Sequence, residues 1–259
     1  MVLIYKMKSK GKYQTDQILI SMKLAFKACL MFMLLSVGLS YAAYASDLAV
    51  SGWPWKISVV LAVTCCLGLL VIHFRYRGTN ALWAYGLAGL VGMFSIYYFF
   101  GIFCYFYFFI FVPMAAYMKW PGLVGGILLT AYWVIATYRN ATHTIRATSF
   151  ADLTFEECGD EINFQIQKGM KAFEQRYKEL NAFPKFFAYI IYGIAPFYLI
   201  LNRILSSTAG STGVLLFVAL LGMPLSLWFI GALVRGYLVM VALPLRIEKE
   251  RHKRVVVIG

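Results

Sequence analysis

The 259-residue chain is 61% hydrophobic and only 14% charged, against about 45–50% and about 25% in an ordinary soluble domain. Its formal net charge is +13, yet none of the eleven Asp and Glu residues falls inside a long apolar run. This excludes a water-soluble fold, and apolar runs of roughly 20 residues, long enough to cross ~30 Å of hydrocarbon as helix, also exclude a barrel of short alternating strands.

The placement of the basic charge decides what it means. Residues 1–27 hold six Lys and one Asp, and Arg246 to Arg254 holds five basic residues and two Glu. Such clusters beside hydrophobic spans set membrane orientation and attract anionic headgroups. Membrane lipids, including anionic headgroups, are therefore expected partners, and a nucleic acid is not.

Residues 1–23 read as a basic cytoplasmic tail, followed by a first span at about 24–45. That span ends in Ala43-Tyr44-Ala45 ahead of Ser46-Asp47, a small-x-small pattern resembling a signal-peptidase site. The length of the apolar stretch and its extended basic lead favour a retained span. Trp53, Pro54 and Trp55 make an interfacial turn, and 57–74 returns to Arg75 and Arg77. Thr79 and Asn80 offer capping oxygens to the next run, 81–118, which carries no charge. Its 38 residues reach about 57 Å as helix, too long for one crossing and short for two.

Charge counting favours one crossing, with the surplus tilted, broken or lying in the interface. Then 123–138 returns to Arg139 and Arg146, 186–205 exits, and 214 to about 234 comes back. This places 21 of the 24 Lys and Arg residues on the cytoplasmic side, leaving Lys56, Lys119 and Arg203 outside. A seventh span would move or split the basic clusters. The expectation is an all-α, six-helix transmembrane bundle in a cytoplasmic membrane of bacterial type. Both termini are cytoplasmic: four spans lie within 24–138 and two within 186–235, and 236–259 forms an interfacial segment, ended by Pro244, and a basic tail.

The segment 139–185 is polar and neutral, with seven basic and seven acidic residues. Thr154 with Glu157 has the spacing of a capping box. Phe155, Cys158, Ile162, Ile166, Met170, Phe173, Tyr177 and Leu180 recur at steps of three and four, forming one stripe. Glu156, Glu157, Asp160 and Glu161 come early and Lys168, Lys171, Arg176 and Lys178 late, as a helix dipole favours. The pattern predicts an amphipathic cytoplasmic helix over 148–183. Phe155, Ile162, Ile166, Met170, Phe173 and Tyr177 are its candidate partner-binding residues, facing a partner helix or the protein's own inner surface.

Other features have a structural and a functional reading. Eleven aromatic residues in Tyr97 to Phe111 suit a lipid-facing or interfacial surface, or a platform for a planar or lipidic ligand. Ala84, Ala88 and Gly92, and Gly122, Gly126 and Thr130, are small-residue ridges for helix packing, within the chain or in a homo-oligomer. Gly193 and Pro196, and Gly222 and Pro224, interrupt the last two spans and are the kinks a transporter would use. The five cysteines and three histidines lack metal-ligand spacing, so no catalytic residue, cofactor or metal site is expected. The leading functional expectation is a non-enzymatic membrane scaffold or assembly subunit with a protein partner; the alternative is a transporter or channel for a small or lipidic molecule.

Overall fold

The computed structural model describes residues 16–180, 189, 193 and 197–258. Helix α1 (Gln17–Ser40) is prolonged by a π-helical stretch, Tyr41–Asp47, and is followed by α2 (Trp53–Tyr76). Helix α3 (Leu82–Tyr97) passes through a second π-helical stretch, Tyr98–Phe106, into α4 (Tyr107–Phe111), before α5 (Ala116–Ala147). A short α6 (Phe150–Thr154), strands β1 (Phe155–Cys158) and β2 (Glu161–Gln165), and α7 (Ile166–Leu180) make up the insertion. Helix α8 (Tyr198–Tyr237) breaks at Gly210 and continues through π-helical Leu238–Ala242 into α9 (Leu243–Arg251), and β3 (Arg254–Ile258) follows.

Among the described residues, five helical stretches are long and apolar enough to cross a bilayer: Gln17–Asp47, Trp53–Tyr76, Leu82–Phe111, Ala116–Ala147 and Gly210–Arg251. The protein is mostly helical and integral to the membrane. Of the expected span 186–205, residues 186–188, 190–192 and 194–196 lie outside the described residues, and 198–205 open α8.

Lipid offers no hydrophobic drive between helices, so close packing must hold the bundle together. On α1, Ile18, Met22, Ala25, Cys29 and Met33 form a buried stripe at steps of four, three, four and four. It meets α3 where a Cβ built on Gly92 would fall 2.9 Å from Ala25 Cα. Ser21 Oγ donates to the Tyr85 carbonyl across the same seam at 3.2 Å.

The long uncharged run resolves into one helix and a turn. Val112 is extended (ψ 130°), as a residue before proline prefers, and Pro113 has no N–H to continue the ladder. Lys119 Nζ donates to the Ile110 carbonyl at 2.9 Å, satisfying a group at the end of α4.

A three-stranded sheet in the order β1-β2-β3 sits at one end of the bundle. β1 and β2 pair antiparallel around a turn in which Gly159 has φ +63°, and β2 pairs parallel with β3 in the register Ile162↔Val255 and Phe164↔Val257. The far edge of β3 meets the α2–α3 loop: Val257 N–H donates to the Asn80 carbonyl at 2.8 Å. Asn80 Oδ1 also accepts from Gln17 N–H at 3.2 Å. The beginning of α1, the α2–α3 loop, the insertion and the C-terminal strand are thus gathered at one end, called the cap below.

Several expectations are corrected here. The fold is mostly helical, as expected, but carries a three-stranded sheet, and 148–183 is not one helix. Its first part alternates with period two, burying Ile162 and Phe164, and its pairing partner β3 lies some 90 residues later, where no local pattern reveals it. The capping box does not form: Thr154 Oγ1 donates to the Phe150 carbonyl, and Glu157 reaches Arg251 and Lys253 instead. Asn80 bonds the first N–H of α1, whose N-cap is Asp16, rather than capping α3. The described part of 236–259 is structured as π-helical Leu238–Ala242, α9 and β3. Pro244 occupies the first turn of α9, where its missing N–H costs nothing, and the chain continues into β3.

Candidate functional site

The cap is the most elaborated polar feature of the molecule, and its core is assembled from distant segments. Phe150 of α6, Phe155 of β1, Ile162 and Phe164 of β2, Phe173 of α7 and Val257 of β3 belong to one buried cluster, which also takes in Leu82, Ala141 and Val239 from the membrane helices. Strand alternation sends Phe155, Ile162, Phe164, Val255 and Val257 to that side. The rings of Phe155 and Phe164 lie 4.9 Å apart, and those of Phe173 and Tyr177 stack at 5.8 Å.

The same alternation sends two rows to the other face: Glu156, Asn163 and Val256, and Cys158, Glu161 and Arg254. Glu156, Cys158, Glu161 and Arg254 are exposed. This outer face carries carboxylate, amide, thiol and guanidinium groups on rigid backbone.

Ion pairs lock the cap's segments together. Glu157 on β1 accepts from Arg251 Nη1 at 2.5 Å and from Lys253 Nζ at 3.0 Å, and Asp152 lies 3.6 Å from Arg251. The Lys253 ammonium and the Arg251 guanidinium hold the Glu157 carboxyl below its usual range. Glu248 accepts from the Val255 N–H at 2.9 Å. Arg235, near the end of α8, stands 3.3 Å from Glu174 and 4.9 Å from the centre of the Tyr177 ring. This clasp fastens α7 to the last span.

Of the candidate partner-binding residues, Phe155, Ile162, Phe173 and Tyr177 are buried in the cap core, while Ile166 and Met170 are partly buried against it. These six residues pack against the chain's own residues. In the ridges, Ala84, Ala88 and Gly92 are buried, and Cβ atoms built on Gly122 and Gly126 would overlap the rings of Phe109 and Tyr105. Tyr105 donates to the Gly122 carbonyl at 2.8 Å.

The aromatic strip faces inward rather than toward lipid: Tyr98, Phe103, Tyr105, Tyr107, Phe108 and Phe109 are buried. Their hydroxyls form a directed chain that sequence reasoning misses because Ser58 is 40 residues from Tyr98. Ser58 donates to the Pro54 carbonyl at 2.9 Å, so Tyr98 donates to Ser58 and Tyr107 to Tyr98, each at 2.8 Å.

Among the expected transport kinks, Pro196 lies outside the described residues, and Gly193 is exposed with open space around it. Gly222 is a close-approach point: its Cβ would sit 2.8 Å from the Phe100 carbonyl oxygen. Pro224 lies within α8, and Ser226 Oγ bonds the Met223 carbonyl at 2.7 Å. Among the described residues no three His, Cys, Asp or Glu side chains are grouped to hold a metal ion. No protein-family model, curated protein or solved structure matches the chain.

Proposed function

We propose that the protein is a non-enzymatic assembly subunit of a membrane complex, whose cap is a cytoplasmic docking platform for a protein partner. One observation carries this reading. Strands and loops from three distant parts of the chain converge to hold a small polar sheet face outward at the end of an apolar bundle, with its hydrophobic side satisfied from within. Pre-ordered backbone reduces the ordering cost of association, which suits a surface used for recognition. The partner surface is the outer sheet face, with Glu156, Asn163 and Glu161, rather than the buried stripe.

The proposed topology has six crossings. The starts of α1 and α3 and the ends of α2, α5 and α8 lie at the cap, so the chain leaves the cap after α7 and returns along α8. That parity supports one further crossing between α7 and Gly210. The basic flanks at the cap, Arg75, Arg77, Arg139, Arg146 and the cluster from Arg246 to Arg254, support a cytoplasmic location.

The test is a pair of charge and size changes on the outer face, Glu156→Lys with Asn163→Arg, in full-length protein solubilised from its native membrane. The expected result is loss of one stoichiometric partner, with insertion and thermal stability retained. If the complex from the variant matches the wild type in size and composition, the docking reading is wrong.

A further inference from the structure

Near the cap, α3, α5 and α8 leave between them an open apolar groove of about 660 Å³. Its walls include Leu87, Leu90 and Phe94 of α3, Ile135 of α5 and Leu233 of α8. Leu87 and Phe94 are seven residues apart, so the groove runs roughly 10 Å along the helix axis, within the ~15 Å half-thickness of the hydrocarbon layer. Tyr138 and Arg139 close its rim and also border a second hollow of about 550 Å³, whose other walls are Thr142, His143, Arg146 and Ala147. The apolar groove therefore opens onto a polar shelf built on one side of α5.

That shelf is cationic and lacks a counter-charge. The Arg139 and Arg146 side chains are exposed, and among the described residues no carboxylate pairs with either. The Thr142 hydroxyl oxygen is buried and has no hydrogen-bond partner among the described residues. Thr142 also lines the hollow and lies between the two arginines along α5.

We propose that this is a binding site for one anionic phospholipid of the leaflet at the cap end. One acyl chain fills the groove, and the phosphate sits between Arg139 and Arg146. Guanidinium forks match phosphate oxygens in pairs. A tail entering the groove exchanges hydrocarbon for hydrocarbon, so the apolar walls orient the lipid while the cations select its charge.

Native mass spectrometry of the full chain in mild detergent tests the proposal, with dioleoylphosphatidylglycerol and dioleoylphosphatidylcholine titrated separately. The anionic lipid is expected to bind once per chain, at least tenfold more tightly than the zwitterionic one. Arg139→Gln with Arg146→Gln should weaken it tenfold or more, as should Leu90→Trp, which fills the groove. Lys23→Gln, at another basic residue near the same end, should leave it unchanged. Size-exclusion profile and melting midpoint report folding, and Arg146→Gln alone is read in the same way if the double variant is not folded. Equal binding of the two lipids, retention of the anionic lipid by both groove and shelf variants, or equal weakening by Lys23→Gln would overturn the site. So would loss confined to the arginine variants, or displacement by millimolar inorganic phosphate, since either means that a headgroup alone is recognised. A protein displaced by Leu90→Trp while the lipid stays would also overturn it.

Discussion

Replacing Phe164 with alanine should open the cap while leaving the bundle assembled. Phe164 is fully buried, packs on the Phe155 ring, stands opposite Val257 on β3, and lies so close to Gly169 that a Cβ there would strike its ring. The cap lies outside the apolar spans, so removing the ring loses both transfer free energy and packing, about 3–5 kcal/mol for a buried Phe. At 1.4 kcal/mol per decade, the opening equilibrium should rise by roughly two to three and a half decades. Hydrogen exchange of residues 161–165 and 254–258, read where it reports the opening equilibrium, should accelerate by that factor. Exchange in the middle of α1 and α3 should not change. Acceleration at β3 of less than threefold, or equal acceleration in the membrane helices, would refute the separation of the cap core from the bundle core.

Other variants probe the remaining joints. Gly92→Ala should destabilise the bundle by about 1–3 kcal/mol through overpacking, because its Cβ meets Ala25, whereas Gly125→Ala, with nothing within 4 Å, should be neutral or slightly stabilising; thermal unfolding in one detergent compares them. Tyr98→Phe removes the middle of the hydroxyl chain and should cost about 0.6–2 kcal/mol on the same assay. Since its cationic partners lower the folded-state pKa of Glu157, its contribution is present above the unfolded carboxyl value near pH 4 and is lost as pH falls through the folded value. Exchange at β3, corrected for intrinsic rates, should therefore accelerate on acidification, and Glu157→Gln should flatten that dependence while raising the rate at neutral pH.

The membrane helices were legible because their signal is local. Length and hydropathy mark Trp53–Tyr76 and Ala116–Ala147 without reference to anything else in the chain. The cap was not, because its decisive pairing joins residues 161–165 to 254–258, and a three-Val run in a basic tail carries no sign of its partner. The stripe from Phe155 to Tyr177 misled for a specific reason: a short strand pair followed by a helix can place apolar residues at steps of three and four. The aromatic strip misled differently, since aromatic enrichment does not say which side of a helix meets protein. The hydrogen bond from the start of α1 to Asn80 depends on a fold that must already exist.

The central claim, that the insertion and the C-terminal strand occupy one cytoplasmic cap with the α1–α2 loop on the opposite side, is tested most directly by thiol labelling. Cys158 is exposed on the outer sheet face, while Cys29 and Cys104 are buried and Cys65 and Cys66 half-buried in the bundle. With a membrane-impermeant maleimide, native Cys158 and a His252→Cys variant should stay unlabelled in intact cells and react after permeabilisation. A Ser51→Cys variant should label in intact cells. Labelling of Cys158 and position 252 from opposite sides, or of position 51 and Cys158 from the same side, would contradict the account.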